Sequence, residues 1–157
     1  MTPPHLPQEA VILDRIQESP TIFTLRMELA DRDGPFRFEP GQFNMVYPFG
    51  VGEIPLSIVS DPEDAGRFDH TVRVVGRVSE ALDRLRPGDR VGVRGPFGRG
   101  WPMAALKGKD ILLVTGGLGC APVVSVIRYV MRRRADYGRV VIMQGVRHAD
   151  DLIWSRQ

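Results

Sequence analysis

The chain has 157 residues, 43% hydrophobic and 25% charged, with 21 Lys and Arg against 19 Asp and Glu. This is an ordinary globular composition, and a net charge of +2 gives nucleic acid no electrostatic reason to bind. A single cysteine, Cys120, excludes an intrachain disulfide, a four-cysteine zinc site and a cysteine-ligated iron–sulfur cluster within these residues, and it fits a reducing, cytoplasmic setting.

Residues 1–8 are Pro-rich, lack the apolar run of a signal peptide and read as a flexible N-terminus. Strands are expected over residues 10–16, 21–29, 43–47, 56–60, 71–75 and 90–94, where Val, Ile, Phe and Thr recur in partial alternation. Glu18-Ser19-Pro20, Glu39-Pro40-Gly41 and Pro87-Gly88-Asp89 supply turns between them. Six short strands so punctuated predict an all-β, six-stranded antiparallel barrel. One short helix interrupts them, with Ser79 as its cap and Ala81, Leu82 and Leu85 as its apolar face.

The pattern changes near Lys109. Residues 111–114 form a continuous apolar strand, as a buried parallel strand requires. Its length is far short of a membrane span. A glycine-rich turn follows, then a helix over residues 122–134 with Val123, Val126, Ile127 and Val130 on one face. Pro122 suits its first turn, where no amide hydrogen is needed. A second apolar strand is expected at residues 140–144, and Asp150 or Asp151 opens a further helix. The domain reading is therefore a barrel over residues 9–106 and an incomplete α/β, Rossmann-like unit over residues 109–157. Two strands and one helix are under half of an open nucleotide-binding sheet. Such a unit exposes edges and apolar faces, so it is expected to be covered by a partner or second copy, or to be marginally stable.

Two segments carry chemistry. Gly116-Gly117-Leu118-Gly119-Cys120-Ala121-Pro122 joins a strand to a helix. Glycines there let a pyrophosphate approach the backbone, and the helix start offers free amides. The fingerprint is partial, because Pro122 stands at its third glycine position. Gly52-Glu53-Ile54-Pro55-Leu56-Ser57-Ile58 sets an acid and a proline before a serine-bearing strand. Pro55 and Leu56 can wall a flat ring, and Ser57 can hydrogen-bond it. Gly76-Arg77-Val78-Ser79 can meet phosphate with amides and a hydroxyl.

Six blocks then stand in one order: Gly41-Gln42-Phe43, Pro55-Leu56-Ser57-Ile58, Gly76-Arg77-Val78-Ser79-Glu80-Ala81-Leu82, Pro87-Gly88-Asp89, Gly95-Pro96-Phe97-Gly98 and residues 116–122. Together they resemble the ferredoxin–NADP reductase superfamily over nearly the whole chain. The resemblance implies a flavin barrel, a nucleotide-binding domain, and FAD and NAD(P)H as cofactors. Electrons would pass as a hydride between NAD(P)H and FAD, then singly to an iron–sulfur or other partner. Carried over, Ser57 faces flavin N5 and Leu56 packs on the ring, beside Ile54 and Pro55. Val72, Arg73 and Val74 line the ribityl chain and phosphates, and Gly76, Val78 and Ser79 hold the pyrophosphate. Gly116, Gly117, Gly119 and Pro122 border the nicotinamide dinucleotide, and Arg147 meets its adenosine ribose or phosphate.

The family's Arg-x-Tyr-Ser reads Ile54-Pro55-Leu56-Ser57 here, so a phosphate-pairing arginine and a stacking tyrosine are absent. Arg73 or Arg77 is the expected substitute. The Pro-aliphatic-Ser version is similar to the branch of dihydroorotate dehydrogenase electron-transfer subunits and gamma subunits of cytosolic nickel–iron hydrogenases (sulfhydrogenases). Gly98-Arg99-Gly100-Trp101-Pro102 supports that branch. The function expected is a flavoprotein electron-transfer subunit with an iron–sulfur or hydrogenase partner. The alternative is a flavin-poor docking or assembly module. An oligonucleotide-binding barrel is disfavoured, since basic and aromatic residues do not interleave on a strand face.

The remaining singular residues read blandly. His5, His70 and His148 are scattered and expected at the surface, and no metal site is expected. Arg132-Arg133-Arg134 reads as a solvated helix end. Cys120 fills a tight turn, with a helix start nearby that favours its thiolate. Glu53 is either a tuner of flavin potential or a solvated loop acid. Trp101 and Trp154 are packing residues.

Overall fold

The computed structural model describes residues 6–31, 36–64, 66–148 and 152–154. Six strands form one antiparallel sheet: β1 (Gln8–Ser19), β2 (Ile22–Leu29), β3 (Phe43–Tyr47), β4 (Ile54–Ser57), β5 (Arg67–Arg73) and β6 (Arg90–Phe97). Their order is β4-β3-β6-β1-β2-β5. The two outer strands then meet through an Ile58–His70 bridge and a Val59 N–H bond to the Asp69 carbonyl at 2.9 Å. That contact curls the sheet into a barrel and covers its edges. Alternate residues point inward, and Ile12, Phe23, Leu25, Met27, Val46, Phe68, Val72 and Val91 form the core. The helix α1 (Arg77–Asp83) follows β5 and buries Leu82 in the same core.

Strand limits differ from the sequence reading in an instructive way. The strand expected over residues 56–60 starts at Ile54 and ends at Ser57, because the chain then leaves β3 for β5. The strand expected over residues 71–75 runs from Arg67 to Arg73. Its buried polar trio Asp69, His70 and Thr71 conceals the strand from a hydrophobic pattern. Ser79 is not the helix cap. Gly76 holds that position, and the Ser79 hydroxyl instead accepts the Val75 and Gly76 amides at 2.9 and 3.0 Å. It also donates to the Gly76 carbonyl at 2.8 Å.

The α/β part has two parallel strands, β7 (Ile111–Gly116) and β8 (Val140–Gly145), and the helix α2 (Ala121–Arg132). Val126 and Val130 of α2 pack with Ile111, Tyr137 and Met103. The further helix expected at Asp150 or Asp151, and His5, lie outside the described residues. The barrel and α2 meet through Val59, Ala121 and Val124, and Gly41 N–H donates to Ser125 Oγ at 3.0 Å. Gly41 has φ +94°, and a Cβ there would stand 2.3 Å from the Trp101 ring, so the turn admits only glycine.

Charge closes this contact. The Arg132 guanidinium lies 3.0 Å from Asp64 and 3.5 Å from Asp61. Arg133 lies 3.2 Å from Asp61, pairs with Glu63 and stacks over Tyr129 at 3.7 Å. Arg128 reaches Asp69 at 3.6 Å, and Arg26 reaches the same carboxylate at 3.2 Å. The arginine run is therefore not a solvated helix end, because Arg132 and Arg133 tie α2 to the barrel.

The other face of the two-stranded sheet is open. Leu112 (63% exposed), Val114 (68%), Val141 (39%) and Met143 (56%) share it. Amides of β7 and β8 should exchange at least about 100-fold faster than those of β2 and β5 in the isolated chain. Hydrogen-exchange mass spectrometry checks this, and equal protection in both sheets would contradict it.

Candidate functional site

Ser57 ends β4 and pairs with Phe43 across the β3–β4 ladder. By strand alternation it shares the outward side with the exposed Pro55, while Ile54 and Leu56 pack against the core. Ile54 thus supplies an apolar contact to the barrel and no cation to its surface. The Ser57 carbonyl accepts the His70 Nδ1 hydrogen at 2.8 Å. The other ring nitrogen, Nε2, accepts from Asn44 Nδ2 at 3.1 Å. A carbonyl can only accept, so Nδ1 carries the proton and the ring is neutral.

His70 is fully buried, which overturns its reading as a surface residue. The signal was present in the spacing: Phe68, His70 and Val72 alternate on one strand face, and the two apolar ones are core. Asn44, also fully buried, follows the same rule with Val46 on β3. Burial drives the His70 pKa from 6.5 down to about 4, against smaller upward pulls from the Ser57 hydrogen bond and the Asp69 charge.

A second group gathers where β5 meets α1. Val72 is 1% exposed, so its side chain belongs to the core and only its backbone is available outside. Arg73 is half-buried, and its Nε is buried with no hydrogen-bond partner. The first-turn amides of Arg77, Val78 and Ser79 have no intrahelical acceptor. The Ser79 hydroxyl, by contrast, has its donor and both acceptor positions engaged.

Of this group, Arg73 faces the glycine turn. Arg73 and Thr21 line a cleft of about 910 Å3 together with turn residues 116–119 and residues 145–148. The turn is itself a short 3-10 segment, Gly117–Cys120, running straight into α2. No atom lies within 4 Å of where a Cβ would stand on Gly116, Gly117 or Gly119, so their backbone is open to a ligand. Pro122 is exposed in the first turn of α2. Arg147 and His148 are exposed in the cleft wall, and no acid lines it among the described residues. The structure therefore brings Arg73, Gly116, Gly117, Gly119 and Arg147 to one cavity. Ser57 stands on the opposite strand of the seam that β5 closes.

Other expectations resolve locally. Glu53 is neither free nor fully solvated: Arg94 holds it in a fork at 2.5 and 3.1 Å. Cys120 is 2% exposed and accepts a hydrogen bond from Gln144 at 3.2 Å. Burial pushes its thiol above the ordinary range, opposite to the helix-start expectation. Trp101 is 49% exposed and covers Gly41. Trp154 packs on the Val59–Val124 cluster. The described residues hold no cluster of metal-ligating side chains, and none of their helices is long and apolar enough to cross a membrane.

Residues 9–101 match the family described as oxidoreductase FAD-binding domain. Residues 113–157 match oxidoreductase NAD-binding domain. The chain is 39% identical over 142 residues to the sulfhydrogenase 1 subunit gamma of Pyrococcus furiosus, covering 90% of this chain and 49% of that protein. It is 42% identical over 116 residues to a probable dihydroorotate dehydrogenase B (NAD(+)), electron transfer subunit, of Methanocella arvoryzae, covering 74% and 40%. The chain thus spans half or less of these relatives. Among solved structures, a ferredoxin-NADP+ reductase mutant from Plasmodium falciparum superposes with TM-score 0.82 at 19% identity, over 95% of this chain and 62% of that one. That likeness establishes the fold: a six-stranded antiparallel barrel followed by a smaller α/β part.

His70 gives the site a pH signature. Its folded pKa is depressed below the unfolded value, so the unfolded chain binds more protons between pH 6.5 and about 4. The associated stability is complete above pH 6.5 and is lost as pH falls toward 4, by about 3 kcal/mol. Urea unfolding of wild type and His70→Asn across this range should show the steeper fall in wild type.

Proposed function

The chain belongs to the oxidoreductase FAD-binding domain family, and from that premise we propose that it is the flavin-carrying part of an electron-transfer subunit. It passes electrons between NAD(P)H, FAD and an iron–sulfur partner of the nickel–iron hydrogenase type, in a cytoplasmic setting. The reading divides the chain into a flavin barrel over residues 9–106 and the first part of an NAD(P)-binding unit over residues 109–157. One observation carries it: Arg73, with an unpartnered buried Nε, stands opposite a bare glycine turn in a cleft that no acid lines among the described residues.

Each residue then has a role. Ser57 faces flavin N5 and Pro55 walls the ring on the same outward side, while Leu56, expected on the ring, joins Ile54 in packing the strand on the core beneath it. Val74 and the backbone of Val72 border the ribityl chain. Arg73 supplies the phosphate-facing cation that Ile54 lacks. Val78 and Ser79 offer backbone amides to the pyrophosphate, while the Gly76 amide and the Ser79 hydroxyl are taken up in the turn. Gly116, Gly117, Gly119 and Pro122 cradle the nicotinamide dinucleotide, and Arg147 meets its adenosine end. Bound FAD supplies the redox chemistry, exchanging a hydride with the nicotinamide and single electrons with the partner. The protein's share is to orient, to neutralise phosphate charge and to keep the ring edge-on to its serine.

The competing reading is a flavin-poor docking module, favoured by the absence of arginine and tyrosine at Ile54 and Leu56. An absorbance spectrum with mass identification of the extracted cofactor separates the two. A flavin spectrum bleached anaerobically by NADH or NADPH is the expected result. Protein that carries no flavin and binds no added FAD overturns the proposal. Arg73→Ala should weaken FAD by about 10- to 100-fold, the worth of one charge-assisted hydrogen bond, with little change in the unfolding midpoint.

A further inference from the structure

The barrel buries a polar pair, Asn44 and His70, at positions where apolar side chains would be the simpler packing. Asn44 and His70 are both fully buried, and Asn44 Oδ1 has no hydrogen-bond partner. A core selected for stability alone would place apolar side chains there, because an orphaned buried oxygen is a penalty. The pair is also built into its surroundings. A Cβ on Gly95, at φ +147°, would stand 2.2 Å from Asn44 Oδ1, so a glycine makes room for the amide. The His70 ring meets Phe68 edge-on, at 5.7 Å and 72°, which fixes its plane.

What the pair holds is a single peptide. At Ser57 the chain stops pairing with β3, and at Ile58 it begins pairing with β5. The Ile58 amide turns back to the Gln42 carbonyl at 3.0 Å. The Ser57 carbonyl lies at this change of partner, and the His70 ring donates to it. The peptide after Ser57 is thereby pinned at both its oxygen and its nitrogen.

We infer that Asn44 and His70 form a buried relay that positions Ser57, so that the flavin ring edge meets its serine in one fixed geometry. Both are positioning residues, acting through Ser57, and the inference rests on the proposed role of Ser57 at flavin N5. In the neutral ring Nε2 keeps its lone pair for the Asn44 amide while Nδ1 donates to Ser57, so both ends of the relay are engaged.

The test compares wild type, His70→Leu, His70→Asn and Ser57→Ala in the full chain. FAD affinity is read from flavin fluorescence and the midpoint potential of bound flavin from dye-coupled titration. His70→Leu keeps bulk but removes the donor. It should raise the FAD Kd at least about 10-fold and move the midpoint potential in the direction that Ser57→Ala moves it. His70→Asn, whose amide can replace the ring N–H, should restore most of both. A folded His70→Leu protein with wild-type affinity and potential overturns the relay.

Should His70→Leu fail to fold, nitrogen-15 spectra of wild type labelled at histidine decide the matter. The His70 Nδ1–H resonance should shift when FAD is added, and an unshifted resonance at saturation overturns the inference. Wild type that binds no FAD is a different failure, since it removes the flavin reading itself. A wild-type flavin spectrum with an indifferent His70→Leu removes only the relay.

Discussion

Everything in this chain that bears on a ligand depends on how the sheet closes. A six-stranded antiparallel sheet with free β4 and β5 edges would be open, flat-edged and prone to pair with other chains. Closure comes from a short contact: the Ile58–His70 bridge, the Val59 to Asp69 hydrogen bond and the His70 ring on the Ser57 carbonyl. Strand β4 has four residues, too few to hold its place by ladder bonds alone. A side-chain bond from the barrel interior therefore does work that backbone pairing cannot do at a change of partner. The residue delivered by that closure is Ser57, which is why the seam and the candidate site coincide.

The second constraint is the placement of the glycine turn over the barrel. Hydrophobic contact here rests on two small clusters, one with Val59, Ala121, Val124 and Trp154 and one in which Met103 meets Val126 and Val130. The ion pairs supply what it lacks. Asp61 and Asp69 are each 5% exposed and each meet two arginines. Such buried pairs add little net stability, since desolvation cancels most of the attraction. They are strongly directional, however, and a wrong docking angle would leave buried carboxylates unpaired. Geometry rather than affinity is what they contribute.

The sequence makes some of this legible and hides the rest for physical reasons. The six barrel strands, the α/β switch near Lys109 and the glycine turn follow from local pattern, because turn residues and apolar runs are local features. Block order extends that to family. The ion pairs are not local: Arg132 meets Asp64 across 68 positions and Arg133 meets Asp61 across 72. A run of three arginines looks solvated until its partners are placed. His70 fails for another reason. Histidine is found both inside and outside folded chains, and only its register with Phe68 and Val72 reveals that it points inward. Ser79 shows the limit of cap rules, since its hydroxyl does bond the turn amides, but from the third helical position.

The choice of histidine at the seam can be argued by elimination. The group must donate to the Ser57 carbonyl and also engage Asn44 on β3, spanning β5, β4 and β3 inside the core. A serine or threonine hydroxyl lies too close to its own strand to reach both. Lysine would bring a charge into a buried site where the neighbouring Asp69 is already shared by two arginines. Tryptophan offers one donor and no acceptor, so the Asn44 amide hydrogen would join its orphaned oxygen. A glutamine is long enough, but its free torsions would let the amide turn. Neutral imidazole alone combines a donor and an acceptor on opposite sides of a rigid ring. The same burial that makes it neutral makes its protonation costly, so acid draws on this site, where the apolar core has nothing to titrate.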